Sequence, residues 1–250
     1  MLTKKIVKYI QSLSQKKLRD KEDAFIAEGP KVVEEFLLSG VFDCKIICAD
    51  PAWLLTNDQL LKKSFGEIYE SDEDSLKKIS LLKTANKVVG VFNKREVKND
   101  LLFDNKITLL LDDISDPGNM GSIIRIADWF AVANIVCSDN CVDCYNPKVV
   151  QATMGSLGRV NIIYTDIKVF LLNQRSINVY AATLSGTKLA KVGTVKEGFI
   201  LIGNESRGIS EELLSLSKNH ITIPRYGNAE SLNAAVATGI ILSHVTADLS

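Results

Sequence analysis

The chain has 250 residues, 46% of them hydrophobic and 24% charged, enough for two modest domains with their own cores and too polar for a fibrous or membrane-embedded protein. Thirty basic and thirty acidic side chains cancel, so any affinity for nucleic acid has to come from local patches rather than from overall charge. No apolar run approaches the length needed to span a bilayer and no secretory signal is visible, and five cysteines without such a signal point to a reducing, cytoplasmic setting.

In chain order, Ile6, Val7, Ile10 and Leu13 fall at helical spacing over residues 3–13, with Lys4, Lys5 and Lys8 between them. Lys16, Lys17, Arg19 and Lys21 follow, opposed only by Asp20. Such a run is either a solvated helix end or a set of contacts to an RNA backbone. A short strand at 24–27 leads to Pro30, placed where a first helical residue belongs, and the helix through Lys31 ends at Gly40. A strand at 45–48, a helix after Pro51, a strand at 67–69, a helix capped at Ser71 or Asp72 and a strand at 87–92 complete the alternation. This predicts a small α/β domain over residues 1–100, closed by a charge-dense linker at 93–105.

Residues 101–250 alternate as well. Strands are expected at 107–112, 134–138, 159–164, 178–182, 198–202 and 220–223, and helices at 121–132, 147–154, 166–174, 210–217 and 232–246. The fold class is therefore α/β, with a mostly parallel sheet of about six strands covered on both faces. Cys141-Val-Asp-Cys144 has the gap of a zinc or redox pair, but nothing nearby supplies a fourth ligand, so no metal is expected.

Three strand ends in this half share one grammar. Leu109–Leu111 runs into Asp112, Asp113 and the turn Asp116-Pro117-Gly118, with a helix opening around Gly121; Phe199–Ile202 runs into Gly203–Ser210; Ile221–Pro224 runs into Arg225–Leu242. Loops of glycine, asparagine, serine and a few charges beyond parallel strand ends imply one composite crevice. The chain has no Gly-x-Gly-x-x-Gly after a strand and no Gly-Lys-Ser/Thr loop, which disfavours dehydrogenases and P-loop phosphotransferases. His220 and His244, the two histidines, neighbour no nucleophile elbow, which disfavours hydrolase triads. Arg125 lies in an otherwise apolar helix and either pairs with Asp128 or clamps a phosphate with both arms of its guanidinium. Asn119 can bond a ribose or shape its loop, and Glu205 can accept from a ribose hydroxyl or cap the helix near Ser210. Ser231 suits the N-cap of the last helix, with Asn233 in its first turn.

The spelling of these loops, Asn119-Met-Gly with Arg125-Ile-Ala-Asp, Ile202-Gly-Asn-Glu with Gly208, and Ile223-Pro with Ser231-Leu-Asn-Ala-Ala-Val-Ala, closely resembles the three motifs of the SpoU/TrmH family of RNA 2′-O-ribose methyltransferases, in the SPOUT superfamily. The match covers roughly residues 107–246; Ser206, Ala131 and Ala235 depart from the usual spelling without removing a candidate catalytic side chain. More weakly, Lys16-Lys17, Phe25 and Glu28-Gly-Pro-Lys31 look like the family's N-terminal substrate-binding domain, related to the ribosomal protein L30e fold. The resemblance implies a C-terminal trefoil knot, S-adenosylmethionine as cofactor and a homodimer through the C-terminal domain. It places Arg125, Asn119, Glu205, Ser231 and Asn233 in catalysis, Thr183, Leu184, Gly203, Ile223 and Leu232 on the cofactor, and Lys16, Lys17, Arg19 and Lys31 on RNA. The expected substrate is structured RNA, ribosomal before transfer RNA; the alternative is a non-catalytic RNA-binding or ribosome-assembly protein that keeps the fold.

Overall fold

A computed structural model of the chain describes residues 2–62, 66–82, 84–96 and 103–247. The packing divides into two units, Met1–Glu96 with Asp143–Arg159, and Val97–Val142 with Val160–Ser250. This corrects the expected boundary in one respect: residues 143–159 pack with the first unit although they lie in the middle of the second domain's sequence. The expected cut near residue 100 itself falls outside the described residues.

The first unit contains α1 (Lys4–Ser12), α2 (Lys16–Glu22), β1 (Ala24–Glu28), α3 (Pro30–Ser39), β2 (Cys44–Ala49), α4 (Pro51–Thr56), α5 (Asp58–Leu61), β3 (Glu67–Glu70), α6 (Glu73–Ile79) and β4 (Val88–Asn93). Its sheet runs β1-β4-β2-β3, with β4 antiparallel to both neighbours and β3 parallel to β2. Alternation along β1 splits the core. Ala24 and Ile26 join Ile10 of α1, Leu13 at its C-cap, and Leu76 and Ile79 of α6. Phe25 faces the other way into an aromatic cluster with Phe36, Phe42, Phe92 and Tyr145. Tyr145 is one reason the 143–159 segment belongs here. Another is Arg19, whose Nε and Nη2 donate to one Asp143 oxygen at 3.0 and 2.7 Å while Nη1 donates to the carbonyls of Leu13 and Ser14.

The second unit contains β5 (Ile107–Leu111), α7 (Pro117–Trp129) and β6 (Asn134–Cys137); α8 (Pro147–Thr153) then lies in the first unit, and β7 (Asn161–Tyr164), α9 (Ile167–Asn173), β8 (Val179–Lys188), β9 (Gly198–Ile202), α10 (Glu211–Leu216), β10 (Asn219–Thr222) and α11 (Ala234–Val245) complete the second. Its six strands lie in the order β10-β8-β9-β5-β6-β7, every pairing parallel. Leu110, Phe199 and Leu201 pack on Ile167 and Leu171 of α9 and Leu213 of α10, while Leu109, Leu111, Ile200 and Ile202 point to the opposite face and are equally buried.

Helix starts follow local chemistry. Four of the five prolines, Pro30, Pro51, Pro117 and Pro147, begin helices, where a missing N–H costs nothing. At α7 this moves the expected start forward, because the Asp116 carboxylate caps the helix by accepting the Asn119 N–H at 2.8 Å. The apparent turn at 116–118 is thus the entry to the helix, and Asn119 sits in its first turn. The last helix is capped by Asn233 rather than Ser231.

Candidate active site

Parallel strands place their carboxyl ends together, and the three motif loops leave from the ends of β5, β9 and β10. The loop after β9 is the most constrained. Asn204 and Gly208 exchange backbone hydrogen bonds at 3.0 and 2.9 Å, and Gly208 turns with φ +71°. Asn204 Oδ1 accepts the Ser206 and Arg207 N–H groups, and its Nδ2 donates to the Asp113 carbonyl at 2.8 Å, tying this loop to the one after β5. Asp113 answers with an ion pair to Arg207 and holds φ +59°, a left-handed conformation uncommon for a residue with a side chain. A methyl group on Gly203 would lie 2.4 Å from the Gly208 carbonyl carbon, so the closed loop admits only glycine there.

The third wall comes from an irregular pairing. His220 of β10 sits opposite Ala181 of β8, and the next residue, Ile221, sits opposite Thr187, so residues 182–186 swing out of the sheet. Gly186 permits this; a Cβ there would stand 2.6 Å from the His220 carbonyl oxygen.

Between these loops lies a cavity of about 970 Å³, lined by backbone-rich segments 182–184, 202–209 and 221–232. It is of the size that holds a nucleoside with an amino-acid tail. Thr183, Leu184, Gly203, Ile223 and Leu232 all line it, as do Glu205 and Ser231. Asn119 and Asn233 reach the same place by hydrogen bonds: Asn233 Nδ2 donates to Asn119 Oδ1 at 2.6 Å, and Asn119 Nδ2 donates to Glu205 Oε1. Glu205 therefore takes the Asn119 amide, not the cap of α10; there Ser210 is the N-cap, and the Asp112 carboxylate takes its N–H at 2.9 Å. Arg125 does not line the cavity and stands exposed on α7.

Sequence reasoning passed over Asn204 and the Asp113–Arg207 pair. Asn204 lies inside the second motif, but its role is to brace backbone, which no spacing reveals. Of the basic residues read as RNA contacts, Lys16, Lys17 and Lys31 are exposed on helices of the first unit, Lys16 beside Asp20 at 3.3 Å. Arg19 is corrected: it is 1% exposed and spends its guanidinium on Asp143 and two carbonyls, which keeps it from an RNA backbone.

The sequence over residues 106–243 matches the SpoU rRNA Methylase family, more than half of the chain. The chain belongs to that family. Residues 4–90 match the MRM3-like substrate binding domain, which covers most of the first unit. A Bacillus subtilis relative, the 23S rRNA (guanosine(2553)-2′-O)-methyltransferase RlmP, is 29% identical over 246 residues, covering 96% of this chain and 95% of its own. An AdoMet-bound rRNA methyltransferase from Sinorhizobium meliloti superposes with a TM-score of 0.89 at 32% identity, covering 100% of this chain and 97% of that one. A TrmH-family protein from Porphyromonas gingivalis superposes at 0.85 with 34% identity, covering 97% of each. Both halves of the chain are thus matched together within single family members of nearly equal length.

Proposed function

We propose that this SpoU-family protein transfers a methyl group from S-adenosylmethionine to a ribose 2′-hydroxyl of structured RNA, ribosomal RNA before transfer RNA. The observation that carries the reading is the cavity between the loops after β9 and β10 and segment 182–184 of β8, with Glu205 on its wall and Asn119 and Asn233 bonded in series to it. When bound, S-adenosylmethionine supplies a methyl group already activated on a sulfonium, so the protein's task is placement and charge. The backbone of 182–184, the Gly203 turn, Ile223 and Leu232 would hold it, and the closed 203–208 loop fixes one wall before it arrives. Arg125, exposed on α7, is assigned to an RNA phosphate, where a planar guanidinium gives two hydrogen bonds and offsets negative charge. Ser231 on the cavity rim is assigned to the ribose.

The first unit is assigned to substrate binding, with Lys16, Lys17 and Lys31 on the RNA backbone; the MRM3-like match supports it. The preference for ribosomal RNA draws on the Bacillus relative, which acts on 23S rRNA and has almost the same length. A homodimer through the second unit is part of the same reading. Its support is an apolar surface on α7 and α11, helices that pack together, where Trp129 is 83% exposed and Val236 and Ile240 also face solvent. The knotted threading and a cytoplasmic setting, where the five cysteines stay reduced, complete it.

The test is transfer of labelled methyl to unmodified ribosomal and transfer RNA separately, followed by alkaline digestion. Label in an alkali-resistant dinucleotide from ribosomal RNA is expected, because a 2′-methyl removes the nucleophile that alkali uses to cut the chain. Label on a base, or none in either RNA, would overturn the reading.

A further inference from the structure

The loop between β10 and α11 carries a side chain with no part yet in the site. Tyr226 lines the cavity and is nevertheless 96% exposed, so its ring stands on the cavity's lip and not in its interior. The interior is apolar, with Ile202, Ile209 and Ile221 buried on its wall. The loop is held in shape by its own chain: Arg225 Nη1 donates to the Ala229 carbonyl at 3.3 Å, which folds residues 225–229 back on themselves. Beside the ring there is open space, since a Cβ on Gly227 would meet nothing within 4 Å. Leu184, 78% exposed, also stands on the lip. Its carbonyl accepts the Thr222 hydroxyl at 3.2 Å, so the end of β10 fixes segment 182–184 beside the loop that bears Tyr226. A single exposed aromatic is ordinary on a protein surface. This one differs in its place, on the rim of the cavity assigned to the methyl donor and in the same loop as Ser231, which is assigned to the ribose.

We propose that Tyr226 is a stacking platform for RNA, and that its ring takes the base of the nucleotide whose ribose is methylated. This rests on the methyl-transfer reading above. In structured RNA a 2′-hydroxyl reaches a cavity only when its nucleotide leaves the stack of its neighbours, and leaving that stack costs free energy. A ring waiting at the mouth returns part of the cost, because every base has a face that an aromatic side chain can cover. Tyrosine suits the position: the ring is rigid and loses little freedom when covered, and its hydroxyl keeps it compatible with water until the RNA arrives. The cofactor's adenine is a poorer occupant. Its place is among the interior isoleucines, shielded from water, whereas a ring exposed to this degree is met first by what comes from solution. Stacking is indifferent to which of the four bases is offered, so Tyr226 selects for an extruded nucleotide and leaves the choice of sequence to other contacts.

The experiment compares Tyr226→Ala, Tyr226→Leu and Tyr226→Phe with the unaltered chain on two synthetic RNA fragments. Both span the nucleotide located by alkaline digestion; one is intact and the other lacks only that nucleotide's base. On the intact fragment Tyr226→Ala and Tyr226→Leu are expected to raise the dissociation constant by about 5–100-fold, and Tyr226→Phe by less than about threefold. On the fragment without the base, all four proteins should bind alike. The S-adenosylmethionine dissociation constant and the unfolding midpoint should not move in any variant, since the side chain is solvated in the free protein. Unaltered binding of the intact fragment by Tyr226→Ala overturns the proposal, as does full binding by Tyr226→Leu, which would reduce the ring to a mere apolar contact. The same loss on the fragment without the base would overturn it too, and a matching loss of cofactor affinity would place the ring on adenine instead. Methyl transfer to no RNA by the unaltered chain would overturn the methyl-transfer reading, and this inference with it.

Discussion

Arg19 lies in a run of lysines and is buried; Arg125 lies among the apolar residues of α7 and faces solvent. Their surroundings in the sequence suggest the reverse. The turn between α1 and α2 brings the carbonyls of Leu13 and Ser14 onto one arm of Arg19, and Asp143 takes the other, so that guanidinium is consumed by the fold. At Arg125 the apolar neighbours Ile123, Ile124 and Ala127 turn inward, and the charge is left on the opposite face, exposed to solvent. What a cation does is decided by which acceptors the backbone brings to it, and charge density along the chain does not report that.

The largest effect should come from removing Arg19. Asp143, with a side chain 9% exposed, would be left as a buried charge without its partner, and Arg19→Met should cost about 3–5 kcal/mol in denaturant unfolding. At a temperature where the variant stays folded, its turnover should equal that of the parent. If Arg19→Met unfolded at the parent's midpoint and lost RNA affinity instead, the contrast between the two arginines would collapse.

Next is the other half of the pair. Arg125→Ala should lower kcat by about 10²–10³-fold, with the unfolding midpoint moved by no more than about 0.5 kcal/mol. Arg125→Lys should recover only a small part, because an ammonium cannot reproduce a two-armed grip on phosphate. Full turnover by the lysine variant would show that the second arm is unused.

How far these assignments can be read from sequence differs along the chain. The alternation of strands and helices is legible because each unit repeats it, and because prolines at first helical positions and Asp50, Asp72, Asp116 and Asp166 as caps punctuate it. The motif loops are legible as one crevice because parallel strands bring their ends together. Three features are not legible, and each depends on neighbours brought together from distant parts of the chain. Residues 143–159 join the first unit through Asp143 and Tyr145, partners of Arg19 and Phe25 more than a hundred positions away. The excursion of 182–186 exists only relative to the register of β10. Asn233 displaces Ser231 as the cap, since the two are equally good caps by type and only the path of the preceding loop chooses between them.

Lys16 and Lys17 sharpen the comparison within a few residues of Arg19. Both are exposed on α2, and Lys16 has only a solvated partner in Asp20, a pair worth about 0–1 kcal/mol. Replacing both with Gln should leave stability unchanged and reduce the slope of log RNA affinity against log salt by about 0.7–0.9 for each phosphate that is no longer neutralised. An unaltered slope would remove this helix from the RNA-binding surface.

The smallest effect concerns a second buried acid of the first unit. Glu28, 4% exposed at the end of β1, accepts from the Ser80 hydroxyl and the Leu81 N–H, both at 2.7 Å, so these partners are neutral donors where Arg19 has a carboxylate. Burial pushes its carboxyl above the ordinary 4.5, and the two hydrogen bonds pull it back only in part. A raised value means that the folded chain binds this proton more tightly than the unfolded chain does. The stability Glu28 contributes is therefore complete below about pH 4.5 and is lost as pH rises through the raised value. Glu28→Gln can still accept from Leu81 and can donate to Ser80, but it cannot titrate. Urea midpoints measured from about pH 4 to about pH 7.5 should show the variant gaining on the parent as pH rises. The opposite slope would mean that two neutral donors hold this carboxylate more strongly than burial opposes it, and Glu28 would then resemble Arg19, a buried charge matched by its partners.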